Sequence, residues 1–424
     1  MTTFYDQALE AFTGLGRRHR PGLVRSFLDA YGYLSQDEER EFLHRLAGDG
    51  FSLNRSSFNV VAQAILHELP PTLPDALAFM FDRSPRRRAL REISKVPEGL
   101  QALFNIHAKF QPPRGDLREH AGFQPLIRDL GDLFKDWCAH RNVELRRVEA
   151  NADKRILDRL TRYEQVHEIT DEHTLERRLA ADRFVFSYFH PSMPIEPVVF
   201  TEVALVKGIA NNIGRLLRKD EEILKPEEAD TAIFYSISSM VLGNKLGRYL
   251  IEQTMEFIAR NHPNIRTFAT LSPLQGFNGQ AELGDSPETF EASVIQHLFT
   301  RDNRGRPKDR VAQFHLSNGA SIGRIVNSDG VPMVNYIYDP HFIESNREAY
   351  ARGYIVCDDD LVWSYGHLAQ DVDTPVDMWE KSIDLHKAFL RQVGPMYDPT
   401  GTLARVRALD WILNGLDDVN NPAP

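Results

Sequence analysis

The chain has 424 residues, a formal net charge of −10, 42% apolar residues and 26% charged residues. That balance suits a soluble globular protein of two or three domains, and it argues against generic binding to nucleic acid or to an acidic membrane surface. Only two cysteines, Cys138 and Cys357, argue against a disulfide framework or cysteine zinc site, and a reducing, cytoplasmic compartment is expected.

The opening M-T-T-F-Y-D-Q-A-L-E lacks the basic-then-apolar pattern of a secretory signal, and no apolar run is long enough to span a membrane. Residues 1–180 read as helices. Ser35-Gln36-Asp37-Glu38 is a capping box ahead of Phe42, Leu43 and Leu46. Phe58, Val61, Ile65 and Leu69 repeat at helical spacing up to Pro70-Pro71. Phe123, Leu126, Ile127, Leu130, Leu133, Phe134 and Trp137 mark a long amphipathic helix, and Ile156, Leu157, Leu160 and Tyr163 another. The histidines here (His44, His67, His107, His140, His167) share no metal-ligand spacing.

Near residue 180 the period changes. Residues 184–189, 197–206 and 231–239 are rich in Val, Ile, Phe and Thr, as strands are. L-G-N-K-L-G-R (242–248) follows the third strand and leads into a helix carrying Leu250, Ile251, Met255 and Ile258. A glycine-bearing turn at a helix N-terminus is suited to cradling phosphate, although two glycines alone also make a plain connector. Lys245 in that turn opposes the helix dipole unless an anion is near.

Residues 265–271 read as a buried strand, and Ser272-Pro273 then opens a turn or helix, with Ser272 as a candidate N-cap. In V-A-Q-F-H-L-S the alternation of Ala312, Phe314 and Leu316 with Gln313, His315 and Ser317 predicts a strand with His315 on its polar face, closed by a tight turn at Asn318-Gly319. Taken singly, Ser272 is a cap and His315 a structural histidine; together they are the ingredients of a hydrogen-bonded Ser–His site. Asp358-Asp359-Asp360 reads as a solvated turn rather than a metal site, and residues 366–424 as a helical appendage.

Five segments occur in an order that resembles one family. They are H-P-S-M-P-I-E-P-V-V-F-T-E-V-A-L-V-K-G-I (190–209), F-Y-S-I-S (234–238), L-S-P-L-Q-G-F (271–277), F-H-L-S-N-G-A (314–320) and M-V-N-Y-I-Y (333–338). The chain is similar in these segments to malonyl-CoA decarboxylases, as it is in V-E-L-R-R-V (143–148) and I-L-D-R-L-T-R-Y-E-Q-V-H-E-I (156–169). The resemblance covers about 70–360. It implies an α+β protein with an N-terminal helical domain (1–180) that supports homo-oligomerisation. A GNAT-like mixed α/β catalytic domain that binds coenzyme A (181–365) would follow, and the helical extension (366–424) would close the chain.

By the same resemblance the catalytic serine and histidine fall on Ser272 and His315, and an active-site tyrosine on Tyr338. The CoA pyrophosphate turn falls on Gly243, Asn244, Lys245, Leu246, Gly247 and Arg248. The chain departs from the family in the segment after L-S-P-L-Q-G-F, which is much shorter than in typical members, in the tail 366–424, which has no counterpart, and in three further places. Only Ser239, Met240 and Val241 separate F-Y-S-I-S from Leu242; Lys245 replaces a glutamate of some members; and a short I-V-N-S-D-G-V-P (325–332) stands where the family has a tryptophan-containing loop.

The implied reaction is decarboxylation of malonyl-CoA or a related malonyl thioester. It requires no metal or organic cofactor, because the thioester is the electron sink. His315 would donate to the enolate oxygen or supply the proton, Ser272 would orient the substrate, and Tyr338 would be a second donor. Two alternatives stand beside it: a CoA-dependent acyltransferase and a non-catalytic acyl-CoA-binding protein. A Ser–His hydrolase is disfavoured, since no G-x-S-x-G elbow occurs.

Overall fold

A computed structural model describes residues 3–17, 21–48, 51, 84–111, 121–241, 245–277, 293–295, 297–302, 305–353 and 355–357. In chain order its helices and strands begin with α1 (Phe4–Arg17), α2 (Pro21–Tyr31), α3 (Gln36–Ala47), α4 (Pro85–Ile93), α5 (Pro97–Ala108) and α6 (Gln124–Trp137). Then come β1 (Glu144–Val148), α7 (Lys154–Tyr163), α8 (Glu172–Arg178), β2 (Arg183–His190), β3 (Met193–Val206), α9 (Ile213–Leu217) and β4 (Thr231–Ser239). The remainder is α10 (Leu246–Asn261), β5 (Thr267–Thr270), β6 (Ser272–Pro273), α11 (Arg310–Ser317), β7 (Ser321–Ser328), β8 (Val331–Ile337) and α12 (Ile343–Ala351).

These elements form two compact units. The first comprises Met1–Thr170, Phe186–Phe200 and Ile237–Ile251. Its helices start where local chemistry dictates: the Ser35 hydroxyl accepts from the Glu38 N–H at 3.3 Å, and the Glu38 carboxylate accepts from the Ser35 N–H at 2.9 Å. Phe12, Phe27 and Phe42 pack as tilted and edge-on rings in the core of α1–α3. Buried Arg86 on α4 donates to Asp129 on α6 at 2.6 Å and to the Leu46 carbonyl at 3.1 Å, so its charge is paired where water is absent. Glu196 of β3 is fully buried and accepts from Gln101, Arg159 and Tyr163, which ties α5 and α7 to the strand. Strand order through this unit is β1-β2-β3-β4.

The second unit comprises Asp171–Val185, Thr201–Ser236 and Glu252–Pro424. Its strand order is β2-β3-β4-β5-β8-β6, with β7 also paired to β8. β4 and β5 are parallel, and β8 runs antiparallel to β5, β6 and β7. Ala204, Ile233, Tyr235, Ala269, Leu271 and Met333 form one core cluster on this sheet. β7 and β8 are joined by Asp329-Gly330, both at positive φ (52° and 87°), in a two-residue hairpin turn whose twist matches the strands.

Four expectations are corrected. First, Glu144–Val148 is a strand, inside a region read as wholly helical. Second, Ser272-Pro273 does not start a helix. It is a two-residue strand in register with Val334 and Met333. A residue before proline is pushed to extended geometry, and Gly276 at φ 72° soon interrupts any helical run. Third, His315 lies on a helix, not a strand. Ala312, His315 and Leu316 are its buried face at i, i+3 and i+4, a spacing that a short apolar run satisfies as readily as period two. The Asp309 side chain caps its N-terminus. Fourth, Asn318-Gly319 is accordingly the C-terminal cap of that helix rather than a hairpin turn. The expected helix through Phe58–Leu69, the acidic run 358–360 and the 366–424 extension lie outside the described residues.

Gly319 sits at φ 93°, and a Cβ there would meet the Ile343 carbonyl oxygen at 2.4 Å. Left-handed backbone at a non-glycine residue costs about 1–3 kcal/mol before any clash is added. Gly319→Ala should therefore destabilise the protein by at least that much in urea unfolding; an unchanged midpoint would show that α11 can end in another way.

Candidate active site

Chain geometry brings three of the sequence-derived residues together inside the second unit. Between β5 and β6 the pairing to β8 is interrupted: Ala269 faces Ile337 and Ser272 faces Val334. Side chains fill the gap. The Thr270 hydroxyl accepts from the Tyr336 N–H at 3.1 Å, and Asn335 Nδ2 donates to the Thr270 carbonyl at 2.6 Å.

His315 reaches the strand from α11. Its Nε2 lies 3.2 Å from Ser272 Oγ, and its Nδ1 lies 2.9 Å from the hydroxyl of Tyr338, just beyond β8. The Tyr336 ring stacks on the imidazole, with centroids 4.6 Å apart and planes at 22°. Tyr336 and Tyr338 share this task because residues two apart on an extended chain face the same way. Ser272, His315, Tyr336 and Tyr338 are all buried. Ser272 Oγ also donates to Thr270 Oγ1 at 3.0 Å.

Burial sets the charge states. It pushes the His315 pKa down to about 3, so the ring is neutral at physiological pH. The same cause raises the Tyr338 phenol well above its usual range, so it keeps its proton. Among the described residues the only acceptor given to the Tyr338 O–H is His315 Nδ1. The phenol therefore donates to Nδ1, and the imidazole proton sits on Nε2, pointing at Ser272. Proton donation runs Tyr338 → His315 → Ser272 → Thr270. A serine that receives a hydrogen bond from the imidazole is not being deprotonated by it, which is the reverse of a Ser–His nucleophile pair.

Sequence reasoning missed Thr270, Tyr336 and Asp309. Tyr336 was within reach, since M-V-N-Y-I-Y repeats Tyr at period two. Thr270 and Asp309 act through strand pairing and helix capping that the misread of 310–317 concealed. The predicted phosphate turn belongs to the first unit. Lys245 is exposed, Leu246 and Gly247 are buried and Arg248 is half-buried; Gly243 and Asn244 lie outside the described residues.

A histidine whose folded pKa is below its unfolded value of about 6.5 leaves stability intact above pH 6.5 and withdraws it as pH falls toward 3, because the unfolded chain binds the proton. At pH 5 this amounts to about 2 kcal/mol for one such group. His315→Asn should flatten the fall in unfolding free energy between pH 7.5 and pH 5 by that order. An identical pH slope in both proteins would show that His315 titrates normally in the fold.

Comparisons with known proteins place the chain in a family. Residues 142–289 and 285–363, more than half of the chain, match the family model of the malonyl-CoA decarboxylase C-terminal domain. The mitochondrial malonyl-CoA decarboxylase of Anser anser anser is 27% identical over 343 residues, covering 63% of this chain and 66% of that protein, just under two thirds. The Mus musculus mitochondrial enzyme is 26% identical over 400 residues, covering 75% and 80%. Crystal structures of malonyl-CoA decarboxylases from Rhodopseudomonas palustris and Agrobacterium vitis superpose with TM-scores of 0.65 and 0.66 at 28% and 27% identity. They cover 84% and 85% of this chain and 98% of each of those chains. The chain belongs to the malonyl-CoA decarboxylase family.

Proposed function

We propose that this protein decarboxylates malonyl-CoA, or a closely related malonyl thioester, to acetyl-CoA and CO2, with Ser272, His315 and Tyr338 at the reacting centre. The observation that carries the reading is the neutral, buried imidazole whose Nε2–H faces Ser272. Loss of CO2 sends the C–C bonding electrons into the thioester carbonyl, and one proton, drawn from solvent, then joins the α-carbon as the carbonyl re-forms. The developing enolate oxygen needs fixed donors in a dry site. Polarised by Nε2–H, the Ser272 hydroxyl is one such donor once it turns from Thr270 to the substrate.

Tyr338 stands on the far side of the ring, so its part is to hold the tautomer through Nδ1 rather than to touch substrate. With a pKa near 3, an imidazolium would make up only about one His315 in 10⁴ at pH 7, so the proton donor role is the weaker of its two candidate roles. The same arrangement disfavours acyl transfer to an amine, which needs a free general base.

The CoA pyrophosphate is proposed to lie at the turn Gly243–Arg248, in GNAT-like use of a strand–turn–helix junction. Cys138 and Cys357, both buried and neither in a disulfide, support a reducing, cytoplasmic setting. Homo-oligomerisation through the helical part is proposed with it.

Release of CO2 from malonyl-CoA without an amine acceptor tests the activity. Acyl-CoA consumption only with an acceptor present, or tight binding without turnover, would overturn it. Ser272→Ala and His315→Asn should each lower turnover by ~10²-fold or more, with the double variant losing little beyond either. Additive losses would show that the two do not act as a unit. Lys245→Ala should raise KM and leave kcat near its wild-type value, as loss of a phosphate contact does. Unaltered kinetics with both malonyl-CoA and methylmalonyl-CoA would make Lys245 a plain surface residue.

A further inference from the structure

We propose that Asp309 is a positioning residue that clamps the histidine-bearing helix to the serine-bearing strand. Its carboxylate is almost wholly buried, at 1% exposure, and three donors from three separate segments converge on it. Oδ1 accepts the Ala312 N–H at 2.7 Å, in the first turn of α11. Oδ2 accepts the Gln275 N–H at 2.6 Å, three residues beyond Ser272. The same Oδ2 lies 3.3 Å from His297 Nε2, whose ring is held edge-on against Phe277 at 5.3 Å.

A helix cap needs only one side-chain oxygen, and serine or asparagine supplies it as well as aspartate does. Here the second oxygen is spent on the loop that leaves β6. That matters because α11 has only eight residues, too few to hold itself in place. Its far end is fixed by α12: Asn346 Nδ2 donates to the Gly319 carbonyl at 3.1 Å, and Arg347 Nε to the Asn318 carbonyl at 3.2 Å. Its near end is fixed by Asp309. The contact that depends on both is His315 Nε2 to Ser272 Oγ, at 3.2 Å already near the outer limit of a useful hydrogen bond. A slide of α11 by a fraction of an ångström along β6 breaks it.

The kinetic part of this inference rests on the decarboxylase reading; a second, spectroscopic part does not. Asp309→Ser keeps a competent helix cap but is too short to reach Gln275 and His297. Gln275→Pro leaves Asp309 in place and removes the loop N–H; proline directly before a glycine at φ 72° matches the type II turn pattern. Both variants should stay folded, lower kcat on malonyl-CoA by ~10²-fold and leave KM within about 2-fold, as misplacement of reacting groups does. In histidine-labelled protein, long-range ¹H–¹⁵N correlation reads the His315 ring nitrogens, assigned by difference from His315→Asn. Both variants should shift Nε2 as its bond to Ser272 weakens. Unshifted ring nitrogens in a folded variant overturn the clamp whatever the rate, and shifted nitrogens with wild-type kcat overturn its importance for turnover. Should Asp309→Ser fail to fold, Gln275→Pro decides alone. A wild-type protein that releases no CO2 refutes the decarboxylase reading, and the nitrogen shifts then judge the clamp by themselves.

Discussion

A neutral imidazole, removed from water and held between two hydroxyl groups, is the constraint on which the rest of the site depends. Desolvation alone would strip His315 of its charge but would not fix which nitrogen carries the proton. The Tyr338 phenol does that, because burial keeps it protonated and His315 Nδ1 is the acceptor the structure gives it. Direction follows from there. The Nε2 proton faces Ser272, and Ser272 passes its own proton toward Thr270. A site built in this order is polarised to donate hydrogen bonds. Making a nucleophile would require the opposite polarity.

That polarity is set by features of the fold, not by the three residues alone. Pairing of β6 with β8, in the register of β5, places Ser272 opposite Val334. Helix α11, fixed at both ends by side chains rather than by its own length, delivers His315. Two residues on the same face of the chain at the end of β8 supply a stacked ring and a hydrogen-bonded one. Buried carboxylates recur as the joining element. Glu196 gathers donors from α5 and α7 in the first unit, and Asp309 gathers them from α11, the turn after β6 and His297 in the second. A carboxylate out of water is tolerated only when several donors replace its hydration, so each one fixes several segments at once.

Much of this was legible in the residues. The capping box at Ser35, the amphipathic helices ending at Trp137 and Tyr163, and the strand at 231–239 all followed from local periodicity and cap chemistry. Ser272, His315 and Tyr338 followed from an ordered series of short segments similar to one family. The errors cluster at the site itself. V-A-Q-F-H-L-S satisfies period two and helical spacing equally, and Ser272-Pro273 offers both a cap signal and an extended-chain signal.

By itself, then, the sequence determined that the chain is a helical part followed by a mixed sheet, and it singled out Ser272, His315 and Tyr338 as candidates, because composition, periodicity and residue identity are local properties. Only the tertiary structure decided that His315 rides on a helix, that Ser272 is a strand residue, and that Thr270, Tyr336 and Asp309 belong to the site. Those outcomes turn on pairing between segments up to 66 residues apart, such as the Tyr336 N–H with Thr270 Oγ1. They turn also on burial that keeps the imidazole neutral and the phenol protonated, and neither effect is present in any short stretch of the chain.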